Sequence, residues 1–96
     1  MTAVVTRGRG NPYENAYCAY LVAELGYLWA VPTRQSRGLF DVHAYSAYGF
    51  CMHAQCKAGK LSCRAAFALS QKLEREAWVC SVRVVHRTKE KEFCEH

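Results

Sequence analysis

The sequence predicts an α/β domain, a mixed central sheet flanked by helices in the order αβββαβ. Three observations lead there. A stretch of alternating side chains with a turn in its middle, residues 39–57, has the form of a β-hairpin. A segment with helical spacing precedes it and an alanine-rich one follows it. An apolar, β-branched run, WVCSVRVV at 78–85, then closes the order, and the helix before it supplies the crossover for a strand parallel to the one at 50–57.

Asn11-Pro12 opens the first helix, with Asn at the N-cap and Pro at the first helical position. Ala16, Tyr17, Tyr20, Leu21 and Leu25 then recur at helical spacing, and Gly26 fits the C-cap, so the helix is expected over 12–25. Residues 27–31 form a short aromatic strand, followed by the polar, basic loop PTRQSRG at 32–38. Strands at 39–46 and 50–57 are joined by Ala47-Tyr48-Gly49. Ser62 caps a second helix over 63–76, in which Phe67, Leu69 and Leu73 are apolar. Residues 1–10 form a loose basic arm and 88–96 a charged tail, open to a short strand, a helical turn or disorder.

Ninety-six residues, half of them hydrophobic, fit one folded domain, 1–96. The 13 Lys+Arg exceed the 8 Asp+Glu, giving +5. Eight bases (Arg7, Arg9, Arg34, Arg37, Lys57, Lys60, Arg64, Lys72) and three acids (Glu14, Glu24, Asp41) lie in 1–73, so the excess is concentrated there. No acid falls between Asp41 and Glu74. A basic field of this kind favours a polyanion, nucleic acid first. MTAVVTRGRG has no apolar signal core, and no run approaches the roughly 18 apolar residues of a membrane span. An intracellular, cytoplasmic protein is therefore expected. Its six cysteines form no CxxC pair, and reduced thiols in apolar segments are the expectation.

Strand alternation predicts Phe40, Val42 and Ala44 with Met52, Ala54 and Cys56 as core. Asp41, Gln55 and Lys57 then gather on the opposite face, with His43 and His53 nearby as solvated residues. A lone carboxylate in an apolar strand is costly to bury without a task. A hard divalent cation would give it one: the Asp41 carboxylate, the Gln55 amide oxygen and the Cys56 backbone carbonyl are oxygen donors. Such an ion activates water and neutralises phosphate. Lys57 would orient that water or stabilise charge on the phosphorane. Glu14, which would otherwise be a first-turn acid complementing the helix dipole, completes the set.

Gly10…Glu14, Phe40-Asp41-Val42 and Gln55-Cys56-Lys57 resemble the E…D…(E/Q)xK signature of the PD-(D/E)xK nucleases. The predicted element order is similar to that family's restriction-endonuclease-like core. Small size, arginines ahead of the helix glutamate and Ser36-Arg37-Gly38 before Asp41 resemble archaeal and phage Holliday-junction resolvases. The Gln-Cys-Lys form is similar to the Mrr-like restriction branch. Gln55 stands where resolvases commonly carry glutamate, and Phe40 where many relatives carry proline. The resemblance implies a Mg²⁺- or Mn²⁺-dependent endonuclease, homodimeric, acting on four-way DNA junctions. Glu14, Asp41, Gln55 and Lys57 would be catalytic, with Cys56 lending its carbonyl to the metal. Arg7, Arg9, Arg34, Ser36, Arg37 and Lys60 would hold DNA. The competing expectations are a restriction-like or nicking nuclease of the same fold, a non-catalytic nucleic-acid-binding module, and a zinc protein with ligands among Cys51, Cys56, Cys63 and Cys94-x-His96.

Overall fold

A computed structural model of the chain describes residues 4–5, 12–33, 40–77 and 81–96. In chain order the elements are β1 (Val4–Val5), α1 (Pro12–Ala23), β2 (Trp29–Pro32), β3 (Val42–Tyr45), β4 (Cys51–Lys60), α2 (Cys63–Ala77), β5 (Val82–Arg87) and β6 (Cys94–Glu95). The strands form one mixed sheet whose spatial order follows the chain, β1-β2-β3-β4-β5-β6. β2, β3 and β4 run antiparallel to their neighbours in this meander. The α2 crossover then makes β5 parallel to β4. β1 adds a parallel edge beside β2, and β6 an antiparallel edge beside β5. The expected α/β order is present, framed by two-residue strands at both edges. No helix among the described residues is long and apolar enough to cross a membrane.

The helices cover opposite faces. Tyr13, Tyr17, Cys18 and Leu21 of α1 pack on Ala30, Val42, Ala44, Met52, Ala54 and Val85. Ala66 and Leu73 of α2 pack on Val82, Val84 and Phe40. Along β4 the alternation therefore assigns residues 52, 54 and 56 to the α1 side and 53, 55 and 57 to the α2 side. Phe40 departs from the expected pattern. It lies with the α2 cluster, because the chain bends at Asp41 and resets the alternation before β3 begins.

Local chemistry explains the element ends. After α1, Gly26 takes φ 75°, a left-handed conformation open to glycine, and the Tyr27 N–H closes on the Leu21 carbonyl at 3.0 Å. The helix stops at Ala23, two residues before its expected end, since the Glu24 and Leu25 N–H groups both turn back to the Tyr20 carbonyl. The hairpin turn is held by Ser46, whose Oγ accepts from Tyr48 and Phe50 N–H at 3.1 and 3.3 Å, with Gly49 at φ 91°. Ser62 caps α2 by accepting the Ala65 N–H at 3.1 Å. β4 continues past the expected Lys57 to Lys60, with a register shift between those two residues. β5 runs on to Arg87, and Trp78–Cys80 at its expected start lie outside the described residues.

The tail forms the short strand among its three expected outcomes, and it is packed. Phe93 sits among Tyr13, Tyr17 and Tyr20 with ring centroids 5.3, 5.4 and 4.9 Å away. The Tyr17 hydroxyl donates to Glu95 Oε2 at 2.6 Å, and the Tyr13 hydroxyl to the Glu92 carbonyl at 2.9 Å. Arg87 bonds Glu92 at 2.8 Å and lies over the Tyr13 ring. Burial pushes the Tyr13 hydroxyl up to about 12, so it remains a donor across the working pH range. Phe93→Ala is therefore expected to lower unfolding free energy by about 2–3 kcal/mol in urea titrations. Tyr48→Ser, at a side chain 92% exposed, should stay within about 0.5 kcal/mol.

Candidate active site

Asp41 occupies the bend immediately before β3, where that strand joins β4. Its N–H donates to the Ala54 carbonyl at 2.7 Å, and its Oδ2 accepts the Cys56 N–H at 2.8 Å. A strand N–H points in the plane of the sheet, so the carboxylate lies in the gap between the strands and not flat on either face. The bond to Cys56 offsets the cost of burying part of this acid. It also leaves Oδ1 as a further acceptor.

Glu14 lies in the first turn of α1, the helix on whose side of the sheet Cys56 packs. Burial pushes the Cys56 thiol up strongly, and the Asp41 and then the Glu14 carboxylate add to the shift. Burial likewise raises the Cys18 thiol to about 12, with Glu14 contributing from one turn away. Burial first, and the Asp41 and Glu14 charges after it, keep Cys56 a neutral thiol. Carboxylates are hard oxygen donors, whereas the metal-ligating side chains that lie within reach of one another among the described residues are Cys63, His86, Cys94 and His96.

Gln55 and Lys57 take the α2 side of β4, in register with Val84 and His86, while Cys56 faces α1 beside Val85. The expected single face carrying Asp41, Gln55 and Lys57 is thus replaced by a different arrangement. The carboxylate lies between the strands, Glu14 approaches from the α1 layer, and Gln55 and Lys57 flank from the other. The bend at Asp41 causes this, since strict alternation stops there. Gln55 is half-buried and Lys57 exposed.

The base of the basic loop adjoins this site. The Thr33 N–H donates to the Asp41 carbonyl at 2.8 Å, and Thr33 Oγ1 donates to the Phe40 carbonyl at 2.8 Å. These bonds bring together the two ends of the segment carrying Arg34, Ser36 and Arg37. Those three residues, Arg7, Arg9 and the Lys60 side chain lie outside the described residues.

His43 and His53 differ from their expected solvated state. They are half-buried cross-strand partners with rings 4.5 Å apart, and His53 also meets Phe40 at 5.3 Å. The cysteines differ too. Among the described residues Cys18 is fully buried, Cys51 and Cys63 are exposed, and Cys56 and Cys94 are intermediate. Of the expected zinc-ligand candidates, Cys56 faces α1 and Cys51 begins β4. Lys57, opposite His86, is six residues further along, about 20 Å in extended chain. Cys63, Cys94 and His96 do approach one another, joined by His86, which sequence reasoning missed. The signal available was the i, i+2 spacing of Cys94 and His96, which puts both on one strand face.

No family model matches the chain, and neither a curated protein nor a solved structure matches it.

The histidine pair sets a pH dependence. Burial lowers the pKa of both rings, and for His53 the neighbouring His43 lowers it further. With folded values below the ordinary 6.5, the unfolded chain binds more protons as pH falls through that region, so stability declines. Melting temperature should drop between pH 7.5 and 5.5, and the drop should shrink in a His43→Gln/His53→Gln variant. An equal drop in both proteins would place the effect elsewhere.

Proposed function

We propose that the chain is a metal-dependent endodeoxyribonuclease of the PD-(D/E)xK kind, with a restriction-endonuclease-like core, that hydrolyses phosphodiesters in four-way DNA junctions as a homodimer. The observation that carries this reading is the Asp41 carboxylate accepting the Cys56 N–H at 2.8 Å, in the middle of Gln55-Cys56-Lys57. The element order around it, with a crossover helix between parallel β4 and β5, supports the same fold.

Asp41 at the bend would supply an anionic ligand and Cys56 a backbone carbonyl, with Gln55 offering an amide oxygen from the α2 side or Glu14 a second carboxylate from the α1 side. Bound Mg²⁺ or Mn²⁺ provides a water of lowered pKa and neutralises charge on the scissile phosphate. Lys57, exposed on a flexible stem, presents an ammonium to the phosphate and to the attacking water. Arg7, Arg9, Arg34, Ser36, Arg37 and Lys60 hold the DNA backbone. One chain carries one such centre, and a two-fold dimer supplies the second cut that a junction needs. A restriction-like or nicking nuclease would use the same residues on linear DNA, and a non-catalytic binding protein would keep only the basic segments.

The deciding experiment is cleavage of a synthetic four-way junction beside linear duplex of the same sequence, with and without added Mg²⁺ or Mn²⁺. Junction cutting that needs the ion is expected. Equal cutting of both substrates would favour the restriction-like reading, and binding without cutting the non-catalytic one.

Asp41→Asn should lower cleavage by more than about 100-fold, since even partners that only orient metal ligands are worth about 10–100-fold. Junction binding should persist, because an amide oxygen can still accept the Cys56 N–H. Gel-shift and cleavage assays on the same preparation separate the two effects, and equal loss of both would sink the assignment.

Gln55→Glu adds a charged ligand without changing the side chain's length. Half-maximal activity should move to about tenfold lower metal concentration, as ligand charge count sets affinity in oxygen sites. The maximal rate can fall, because a more negative site repels phosphate. An unchanged metal titration would remove Gln55 from the ligand set and leave Glu14 and Asp41.

A further inference from the structure

A second group of metal-ligating side chains lies on the α2 side of the sheet. Cys63 is the first residue of α2, His86 belongs to β5, and Cys94 and His96 flank Glu95 at the chain's end. Antiparallel register puts Cys94 opposite His86, and the His96 and Val84 backbones exchange hydrogen bonds at 2.9 Å. Alternation then sends Cys94 and His96 to the α2 side and Glu95 to the α1 side, where it meets Tyr17. Cys63 enters from above on the α2 side. One ligand atom from each residue lies within 4.8 Å of all the others.

We propose that Cys63, His86, Cys94 and His96 form a structural Zn²⁺ site that fastens the C-terminal strand and the start of α2 to β5. A tetrahedral ion with Zn–S near 2.3 Å and Zn–N near 2.0–2.1 Å has edges of about 3.3 Å for N···N and about 3.6 Å for N···S. The corresponding separations are 3.0 Å for His86 Nε2 to His96 Nε2, 3.4 Å for Cys94 Sγ to His96 Nε2 and 4.0 Å for Cys63 Sγ to His86 Nε2. His86 is wholly buried, yet its Nε2 is aimed at another imidazole nitrogen and a thiol. One proton shared between the two rings satisfies one such contact, whereas a cation satisfies all four donors together. Two sulfurs and two imidazole nitrogens form a borderline-soft set that suits zinc and contrasts with the oxygen donors near Asp41. Four protein ligands fill the tetrahedron and leave no position for a substrate, so the role is structural.

The site also answers a mechanical need. β6 is two residues long, and its hydrogen bonds alone are a weak tether. Phe93 and Glu95 hold it on the α1 side, and the metal would hold it on the other.

The test is elemental analysis of protein purified under reducing conditions without chelator, followed by Co²⁺ substitution. One zinc per chain is expected, with the visible bands of four-coordinate Co²⁺ and thiolate charge-transfer bands in the near ultraviolet. Cys94→Ser and His96→Ala should each weaken zinc retention by about 100-fold or more and lose the tetrahedral spectrum, with far-UV circular dichroism checking that each variant is folded. Cys51→Ser should leave both unchanged. Removing zinc from the wild-type protein should lower its melting temperature by more than about 8 °C. Any of three results overturns the proposal: folded, reduced protein that takes up no zinc; a six-coordinate Co²⁺ spectrum without thiolate bands; or a Cys63–Cys94 disulfide in protein kept reduced. None of these readouts involves DNA cleavage, so the site stands or falls apart from the nuclease reading.

Discussion

The molecule depends on β4. At ten residues it is the longest strand among the described residues, and it joins the antiparallel meander to the parallel crossover. Both of its faces are covered in part, so each successive side chain must satisfy a different layer. Met52 and Ala54 lie fully buried beneath α1, while His53 and Gln55 face the opposite side. A one-residue slip of β4 would exchange these sets and put polar groups under the tyrosines of α1. The small residues matter as much as the register. Ala30, Ala44 and Ala54 are all fully buried, and their size leaves room for the Tyr13 and Tyr17 rings to lie against the sheet.

The same strand explains why chemistry gathers at one place. β3 and β4 pair regularly from Tyr45↔Cys51 to Val42↔Ala54, and then the chain bends at Asp41. Beyond that point the Cys56 N–H bonds to the Asp41 carboxylate at 2.8 Å. A side-chain oxygen thus serves where a neighbouring strand's carbonyl otherwise would. The bend that spoils strict alternation also carries an acid into the gap between the strands, toward Glu14. A continuous regular ladder would have turned Asp41 to one face and left Glu14 alone in the α1 layer.

Much of this was legible locally. The Pro12 start and glycine stop of α1, the Ser62 cap, the Ala47-Tyr48-Gly49 turn and the apolar periods set element type and order, because each is decided within a few residues; the expected Asn11 cap lies outside the described residues. Glu14, Asp41 and Gln55-Cys56-Lys57 stood out for the same reason: acids and amides are conspicuous in apolar segments. What escaped sequence reasoning depended on distant partners. The tail HRTKEKEFCEH is rich in charge, yet Phe93 finds three tyrosines that precede it by more than seventy residues. His86 follows the expected strand 78–85 and carries no metal-ligand signal of its own, and the α2 crossover and β6 register bring Cys63, Cys94 and His96 around it. The Phe40 side chain was misassigned because alternation carries no information across a bend.

β6 shows how few residues can join layers when they alternate. Glu95 and Phe93 engage α1 through a hydroxyl and three rings, while Cys94 and His96 turn to the α2 side. Each contact set would leave the strand free to peel from the other face, and the two together oppose rotation about its axis. The division also separates donor chemistries. The Asp41 carboxylate lies at the bend before β3, where burial first and the Asp41 and Glu14 charges after it raise the Cys56 thiol. Sulfur and nitrogen donors collect beyond β5. A hard ion gains little from the second set, and a thiolate-seeking ion finds no ready thiolate in the first. Under the two proposals above, a hard ion would take the oxygen donors and a thiolate-seeking ion the sulfur and nitrogen donors, because the donors themselves set the pairing.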